Sequence, residues 1–274
     1  MSGDGAAARA AAQARAAPTL RMERAILRAG SCRVVVGMDE VGRGALAGPV
    51  TVGAVAVCLD TPTAPRGLRD SKLLTPEQRE RLAPRVRRWA TAWGIGHAGN
   101  DEIDRWGILC ALRVAGLRAL GELAGRVTAE SGPRDGVVRT VILDGSYDWL
   151  RRPPLPGGVS PAGPSPSEVT LVVKADRRCA AVAAASVLAK VDRDARMVGL
   201  GREDARYGWV GNKGYAAPDH RAALDRHGPS RWHRCSWNIH GAGAGRASSA
   251  VAGQDVLMPD SMLVPGPVPE GALR

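Results

Sequence analysis

Phenylalanine is absent from the 274 residues, tyrosine occurs three times, and lysine four times among 38 basic residues. Alanine, glycine and proline are abundant in the same chain, a bias expected of a GC-rich coding sequence. The formal charge of +11 therefore overstates any selection for basicity, and charge alone does not establish an anionic partner. The bias does single out Lys72, Lys174, Lys190 and Lys213, because a chain that prefers arginine this strongly keeps lysine where a compact ammonium is required. No apolar run reaches the roughly 18 residues of a membrane span, and the Ala/Arg-rich stretch Met1–Ala17 has no secretory core. The five cysteines, Cys32, Cys58, Cys110, Cys179 and Cys235, are odd in number and form no C-x-x-C pair. They exclude a cysteine zinc site and fit a reducing cytoplasm.

The length suits one large domain with tails. Residues 1–32 read as a flexible Ala/Arg-rich arm ending in a short helix near Met22–Arg28, and residues 241–274 as a disordered Gly/Ala/Pro tail. The arm carries +3 and the tail −1, which leaves +9 on residues 33–240, where a binding surface would need it. Within that segment five apolar, β-branched runs read as strands: Arg33–Met38, Val50–Leu59, Thr91–His97, Val138–Leu143 and Val169–Val173. Thr75, Pro76 and Gln78 form a helix start, and the helix is predicted to run to Trp89 with a kink or division at Pro84. Further helices are predicted from Asn100, as the cap, to Ala124, over Cys179–Leu200 and over Asp219–Arg226. A Pro-rich insert at about 151–168 joins the last two strands and reads either as a flank to the substrate or as a disordered excursion. The fold class is α/β, a mixed sheet covered by helices.

Three of these strands end in acid: Val34–Gly37 runs into Asp39 and Glu40, Val141–Leu143 into Asp144, and Leu171–Lys174 into Asp176. One such acid is ordinarily a loop cap. Three in succession converge if the strands are neighbours, since paired strands lie about 5 Å apart, and converging carboxylates repel unless a cation lies between them. Oxygen-only donors with no matching His/Cys set favour Mg²⁺ or Mn²⁺ over zinc. A pair of such ions is suited to phosphodiester hydrolysis. Adjacent strand residues face opposite ways, so Asp39 and Glu40 share a site only if the Gly-rich turn after them breaks the pleat or Glu40 uses its backbone carbonyl. The glycines of Gly42-Arg43-Gly44 permit close backbone approach to a ribose or phosphate. Lys72 is a phosphate contact or a solvated surface lysine, and Tyr215 a stacking and hydroxyl reader or a packed aromatic.

Taken in order, Gly37–Val50, Asp70–Leu74, Asp101–Asp104, Leu143–Gly145, Lys174–Asp176, Ala183–Asp194, Tyr207–Tyr215, His220 and His233–Trp237 resemble ribonuclease HII, a type 2 ribonuclease H. The likeness spans residues 33–238. It implies an RNase H-like fold, here a mixed five-stranded sheet flanked by helices, with C-terminal helices and the tail beyond it. It implies Asp39, Glu40, Asp144 and Asp176 as catalytic, metal-holding acids for two Mn²⁺ or Mg²⁺ ions. Gly42, Arg43, Gly44 and Tyr215 would read the 2′-hydroxyl at an RNA–DNA junction, and Lys72 would meet a phosphate. The implied reaction cleaves the RNA strand of RNA/DNA hybrids and nicks 5′ of ribonucleotides in duplex DNA, leaving 3′-OH and 5′-phosphate, as ribonucleotide excision repair and DNA replication require. A cytoplasmic monomer is expected, without a membrane partner. A non-catalytic RNA/DNA-hybrid binding protein on the same fold is the alternative reading, which the retention of all four acids disfavours. Trp209 and Trp237 replace the family's usual Phe, and Ala216-Ala217-Pro218 replaces its usual loop. The arm is too short for the extra N-terminal domain of the HIII type. Gln254–Met258 loosely resembles a sliding-clamp peptide, while Asp192, Asp194 and the five histidines read as scaffold.

Overall fold

The computed structural model describes residues 17–30, 32–126, 138–152, 163–237 and 239, with Pro154, Leu155, Gly157 and Val159. Helix α1 (Arg21–Arg28) precedes strands β1 (Val35–Val41) and β2 (Val50–Val57), and α2 (Pro76–Trp89) leads to β3 (Ala92–Ala98) and α3 (Asn100–Arg126). After β4 (Thr140–Asp144) and β5 (Glu168–Val172) come α4 (Ala180–Glu203), the one-turn α5 (Trp209–Asn212) and α6 (Pro218–His227). The sheet order is β3-β2-β1-β4-β5, with β1–β2 and β2–β3 antiparallel and β1–β4 and β4–β5 parallel. The mixed five-stranded sheet expected from the apolar runs is present.

Alternation along the strands divides the core. Val35, Val55 and Ile142 face α1, α2 and α4, whereas Met38, Val52, Val141 and Leu143 face α3. Helix α4 meets the central strands β1 and β2 backbone to backbone, and α3 meets the edge strand β3 in the same way. A Cβ on Gly37 would collide with the main chain of Ala181 and Val182, and one on Gly53 with the Ala185 carbonyl. On the other face Gly94 and Gly96 receive the carbonyls of Ala119 and Ala115 in α3. Glycine on the sheet and alanine on the helix bring α4 close enough to serve as one wall of the site.

Several sequence expectations are corrected by tertiary contacts. Residues 17–30, assigned by composition to the loose arm, belong to the packed body. Thr19 N–H donates to the Arg178 carbonyl at 3.1 Å, and the Thr19 carbonyl accepts from Ala180 N–H at 3.1 Å. The buried Glu23 carboxylate accepts from Ala181 N–H at 2.8 Å, capping α4 from 158 residues away where the helix dipole favours an anion. Helix α2 continues through Pro84, which is exposed, so the carbonyl a turn earlier is free to bond water. Its start is as predicted, with the reciprocal Thr75–Gln78 capping box. Helix α3 is interrupted at Gly107 (φ 76°, ψ 161°). Asn100 does not cap it; Glu102 accepts from Gly99 N–H at 2.8 Å, and the Asn100 amide bonds the Arg231 and His233 carbonyls. The described part of the Pro-rich insert leans on α3, Gly163 against Leu117 and Gly121 and Leu155 against the core. That is the face of the sheet away from the acids described below. Residues 241–274, including Gln254–Met258, lie outside the described residues.

The close approach of α4 is testable. Gly53→Ala is expected to lower stability by about 1–3 kcal/mol, because the added methyl meets backbone that cannot rotate away, read as a lower urea midpoint. An unchanged midpoint would show that α4 has room to retreat.

Candidate active site

Parallel pairing of β1 with β4, in the register Met38↔Leu143, sets Asp39 beside Asp144 one residue further on. Asp176 arrives from a 3-10 turn, Ala175–Arg177, that follows β5. Lys174 enters that turn in the left-handed conformation (φ 56°, ψ 43°), and Ala175 N–H donates to the Asp144 carboxylate at 2.6 Å. Carboxylate oxygens of Asp39, Asp144 and Asp176 thereby lie within 4.8 Å of one another. Asp39 and Asp176 are buried and Asp144 is half-buried. Burial, then the charges of Glu40, Asp144 and Asp176, push the Asp39 carboxyl well above the usual range against a hydrogen bond from Ser186. Burial, followed by the Asp70 and Asp144 charges, pushes Asp176 up to about 6. One buried Asp176 oxygen has no hydrogen-bond partner among the described residues. Three repelling hard-oxygen donors, one of them orphaned, fit a divalent cation of the Mg²⁺ or Mn²⁺ kind.

Glu40 is not brought into that cluster. Strand β1 pairs regularly with β2 through Glu40↔Val52 and Val41↔Thr51, so the expected break in the pleat does not occur at the acids. The Glu40 carboxylate instead lies 3.6 Å from the Arg43 guanidinium. It lines a groove of about 460 Å³ that also holds Gly42, Arg43, Gly44, Ser71, Lys72, Ser186, Lys190 and Tyr215. The turn, Lys72 and Tyr215, which sequence reading selected separately, thus share one concavity. The Lys72 ammonium lies 3.9 Å from Asp176. Burial opposes its charge, but the Asp39, Asp70, Asp176 and Asp144 carboxylates outweigh it and raise the ammonium pKa. Of the four lysines, Lys72 and Lys190 reach the groove; Lys190 is held by Asp194 at 2.8 Å and lies over the Tyr215 ring.

The sequence model of the family described as Ribonuclease HII matches residues 36–121 and 162–240. The chain belongs to the ribonuclease HII family. It is 46% identical over 220 residues to the ribonuclease HII of Streptomyces avermitilis, covering 80% of this chain and 83% of that one. The enzyme of Paracoccus denitrificans is 42% identical over 220 residues, with 80% and 91% covered. The fold is similar to that of the ribonuclease H2 of Pyrococcus horikoshii OT3, with a TM-score of 0.54 at 24% identity over 75% of this chain and 94% of the other. It is also similar to Bst-RNase HIII solved in complex with Mn²⁺, with a TM-score of 0.53 at 22% identity over 76% and 64%. The chain is a hydrolase of the nuclease class.

Several residues that shape this ribonuclease HII site lie in the resembling segments but carry no individual role that their sequence context reveals. Asp70 is buried next to Asp176, caps Lys72 N–H at 2.9 Å and pairs with Arg177 at 3.4 Å. Ser186, on α4, bonds Ser71 at 2.8 Å. Arg193 and Arg234 are fully buried without a carboxylate partner, and their guanidinium groups are spent on main-chain carbonyls. Arg193 bonds Pro49 and Lys213, and Arg234 bonds Gly42 at 2.7 Å, Arg43 at 2.8 Å and Gly48 at 3.1 Å. Burial and the neighbouring Arg193 charge push Arg234 down to about 9. No local spacing marks such residues; in a chain with 34 arginines they look like all the rest.

Tyr215 is fixed from behind by a hydrogen-bond chain. Trp209 Nε1–H can only donate, so His220 Nε2 accepts at 3.1 Å and His220 Nδ1–H donates to the Tyr215 carbonyl at 2.8 Å. His233 then donates from Nε2 to His220 at 3.0 Å and accepts the Ser230 N–H at Nδ1, 2.9 Å away. This arrangement requires both rings neutral, and burial with the His220 neighbour pushes His233 down to about 4. The unfolded His binds its proton near 6.5, so this contribution is complete above that pH and declines as pH falls towards 4. Urea midpoints of wild type and His233→Gln should therefore converge between pH 7 and pH 4.5; a constant difference would rule out the neutral pair.

Proposed function

We propose that this chain is a metal-dependent endonuclease that cleaves the RNA strand of RNA/DNA hybrids and nicks 5′ of ribonucleotides embedded in duplex DNA, leaving 3′-OH and 5′-phosphate ends. The observation that carries this reading is the cluster of Asp39, Asp144 and Asp176 with its orphaned oxygen, set beside the groove that holds Lys72 and Tyr215. Asp39, Asp144 and Asp176 would hold the ions, and Glu40, outside the cluster and beside Arg43 but close enough for its charge to act on Asp39 and Asp144, would join them only by leaving Arg43. Mn²⁺ and Mg²⁺ both suit these donors, and the Mn²⁺ in Bst-RNase HIII supports the class. When bound, a pair of divalent cations supplies Lewis-acid stabilisation to the attacking and leaving oxygens.

The chain's own residues do the rest. Lys72, kept cationic by four carboxylates, offsets the charge of a phosphate entering the groove. Gly42, with φ 86°, and Gly44 present their backbone to the ribose, and Arg43, exposed and 3.6 Å from Glu40, supplies a cation at the rim. Tyr215 offers its hydroxyl to the 2′-OH, the group that separates RNA from DNA at a given site. A deoxyribose leaves that partner unmatched, which penalises DNA.

A duplex DNA carrying one ribonucleotide tests this directly. Wild type with Mg²⁺ or Mn²⁺ should nick it and chelator should abolish the nick. Asp39→Asn should lose activity by at least about 100-fold while still binding, which also separates catalysis from hybrid binding alone. Undiminished cleavage by Asp39→Asn would overturn the metal assignment. Tyr215→Ala should slow cleavage at the single ribonucleotide, and an unchanged rate would remove Tyr215 from recognition.

A further inference from the structure

Beyond the groove at the acids, the molecule carries a second, strongly basic surface that the reaction does not use. Arg21, Arg24 and Arg28 fall on one side of α1, flanking the side that buries Glu23 and Leu27. With Arg66 they line a groove of about 620 Å³ whose lining contains no Asp or Glu. Arg66 also lines a neighbouring depression of about 180 Å³ with Arg81 and Arg85 of α2. All but Arg24, which is half-buried, are exposed. Two helices thus present arginines about one turn apart on either side of the loop that carries Arg66.

Nine arginines elsewhere lie within 4 Å of a carboxylate, for example Arg118 with Glu102 and Arg206 with Asp204. Among the described residues none of these six is ion-paired. The loop is tied to both helices: Arg24 bonds the Thr61 carbonyl at 3.0 Å, Arg85 the Arg66 carbonyl at 3.1 Å, and Trp89 the Pro62 carbonyl at 2.8 Å. The same loop runs on through Leu68 to Asp70 and Lys72. Lys72 is six residues beyond Arg66, a span of at most about 20 Å, which is about six nucleotides of one strand.

We propose that this strip is a second nucleic-acid contact, a phosphate-binding track that holds the duplex flanking the cleavage site. The chemistry fits: guanidinium groups without a paired carboxylate take phosphate oxygens with forked hydrogen bonds, and contacts to phosphate fix the position of a duplex without reading its sequence. This rests on the nuclease reading above, but its readout needs no cleavage.

The test uses the full chain and an all-DNA duplex of about 30 base pairs, some three helical turns. The variant R21A/R28A/R66A/R81A leaves Arg24 and Arg85, which hold the loop, in place. It should bind at least about ten-fold more weakly at low salt, and the slope of log K against log salt should become shallower by about 3 to 4. The matching four-lysine variant should keep most of the slope, which separates lost charge from a damaged fold. On the same duplex with one ribonucleotide, kcat at saturating substrate should be unchanged for the alanine variant. Wild-type affinity and slope in the alanine variant would overturn the proposal. So would phosphatidylserine vesicles binding wild type as tightly as the duplex and losing that binding in the variant, which would give the strip to a lipid surface. Failure of wild type to nick would sink the nuclease reading and leave the duplex-binding result to be judged alone.

Discussion

The contact on which everything else depends is that of α4 with the centre of the sheet. Gly37 and Gly53 have no side chain to hold Ala181, Val182 and Ala185 away, so the helix axis lies unusually close to β1 and β2. From that line α4 supplies one side of the site along its length. Ser186 reaches Ser71 and Asp39, Lys190 reaches the groove and Tyr215, and Arg193 packs against Gly42 and bonds the Lys213 carbonyl. Its N-terminus, capped by Glu23, lies just after the turn that delivers Asp176. A helix displaced by the width of a methyl group would separate Asp39 from Ser186 and Arg193 from the glycine turn together.

The groove is built by spending charge where it is unfavourable. Among the described residues Arg193 and Arg234 are buried without a paired carboxylate, and the three-carboxylate cluster has only the exposed Lys72 ammonium, 3.9 Å from Asp176, as a protein cation beside it. In the first case the cost is offset by carbonyls that would otherwise be unsatisfied in a Gly-rich loop. In the second Lys72 offsets it only in part, and burial with the mutual repulsion of the carboxylates pushes Asp39 and Asp176 towards the protonated form. Strain is concentrated at the same place. Among the described residues only Lys174 and Lys213 are non-glycine residues at positive φ, and each lies two residues before a site residue, Asp176 and Tyr215. Left-handed lysines cost on the order of 1–2 kcal/mol each, and they place the side chains that the site needs.

Much of the fold was legible because it is local. Apolar runs of the right length marked all five strands, and Thr75, Pro76 and Gln78 marked the α2 start within four residues of each other. Gly107 escaped notice because an interior glycine in a helical pattern is usually tolerated. Composition put Arg21–Arg28 in a loose arm because its anchors, Arg178, Ala180 and Ala181, lie more than 150 residues away and leave no trace in the neighbouring sequence.

The sequence by itself determined which acids end which strands, where the glycines permit close approach, and which family pattern the chain carries. Those properties follow from residue type and short spacing. Only the tertiary structure decided that Asp39, Asp144 and Asp176 meet while Glu40 turns to Arg43, because strand order and register, not spacing, set which side chains share a face. It also decided which of 34 arginines are buried braces and which form an open basic strip. Identical side chains acquire different roles only through what packs around them.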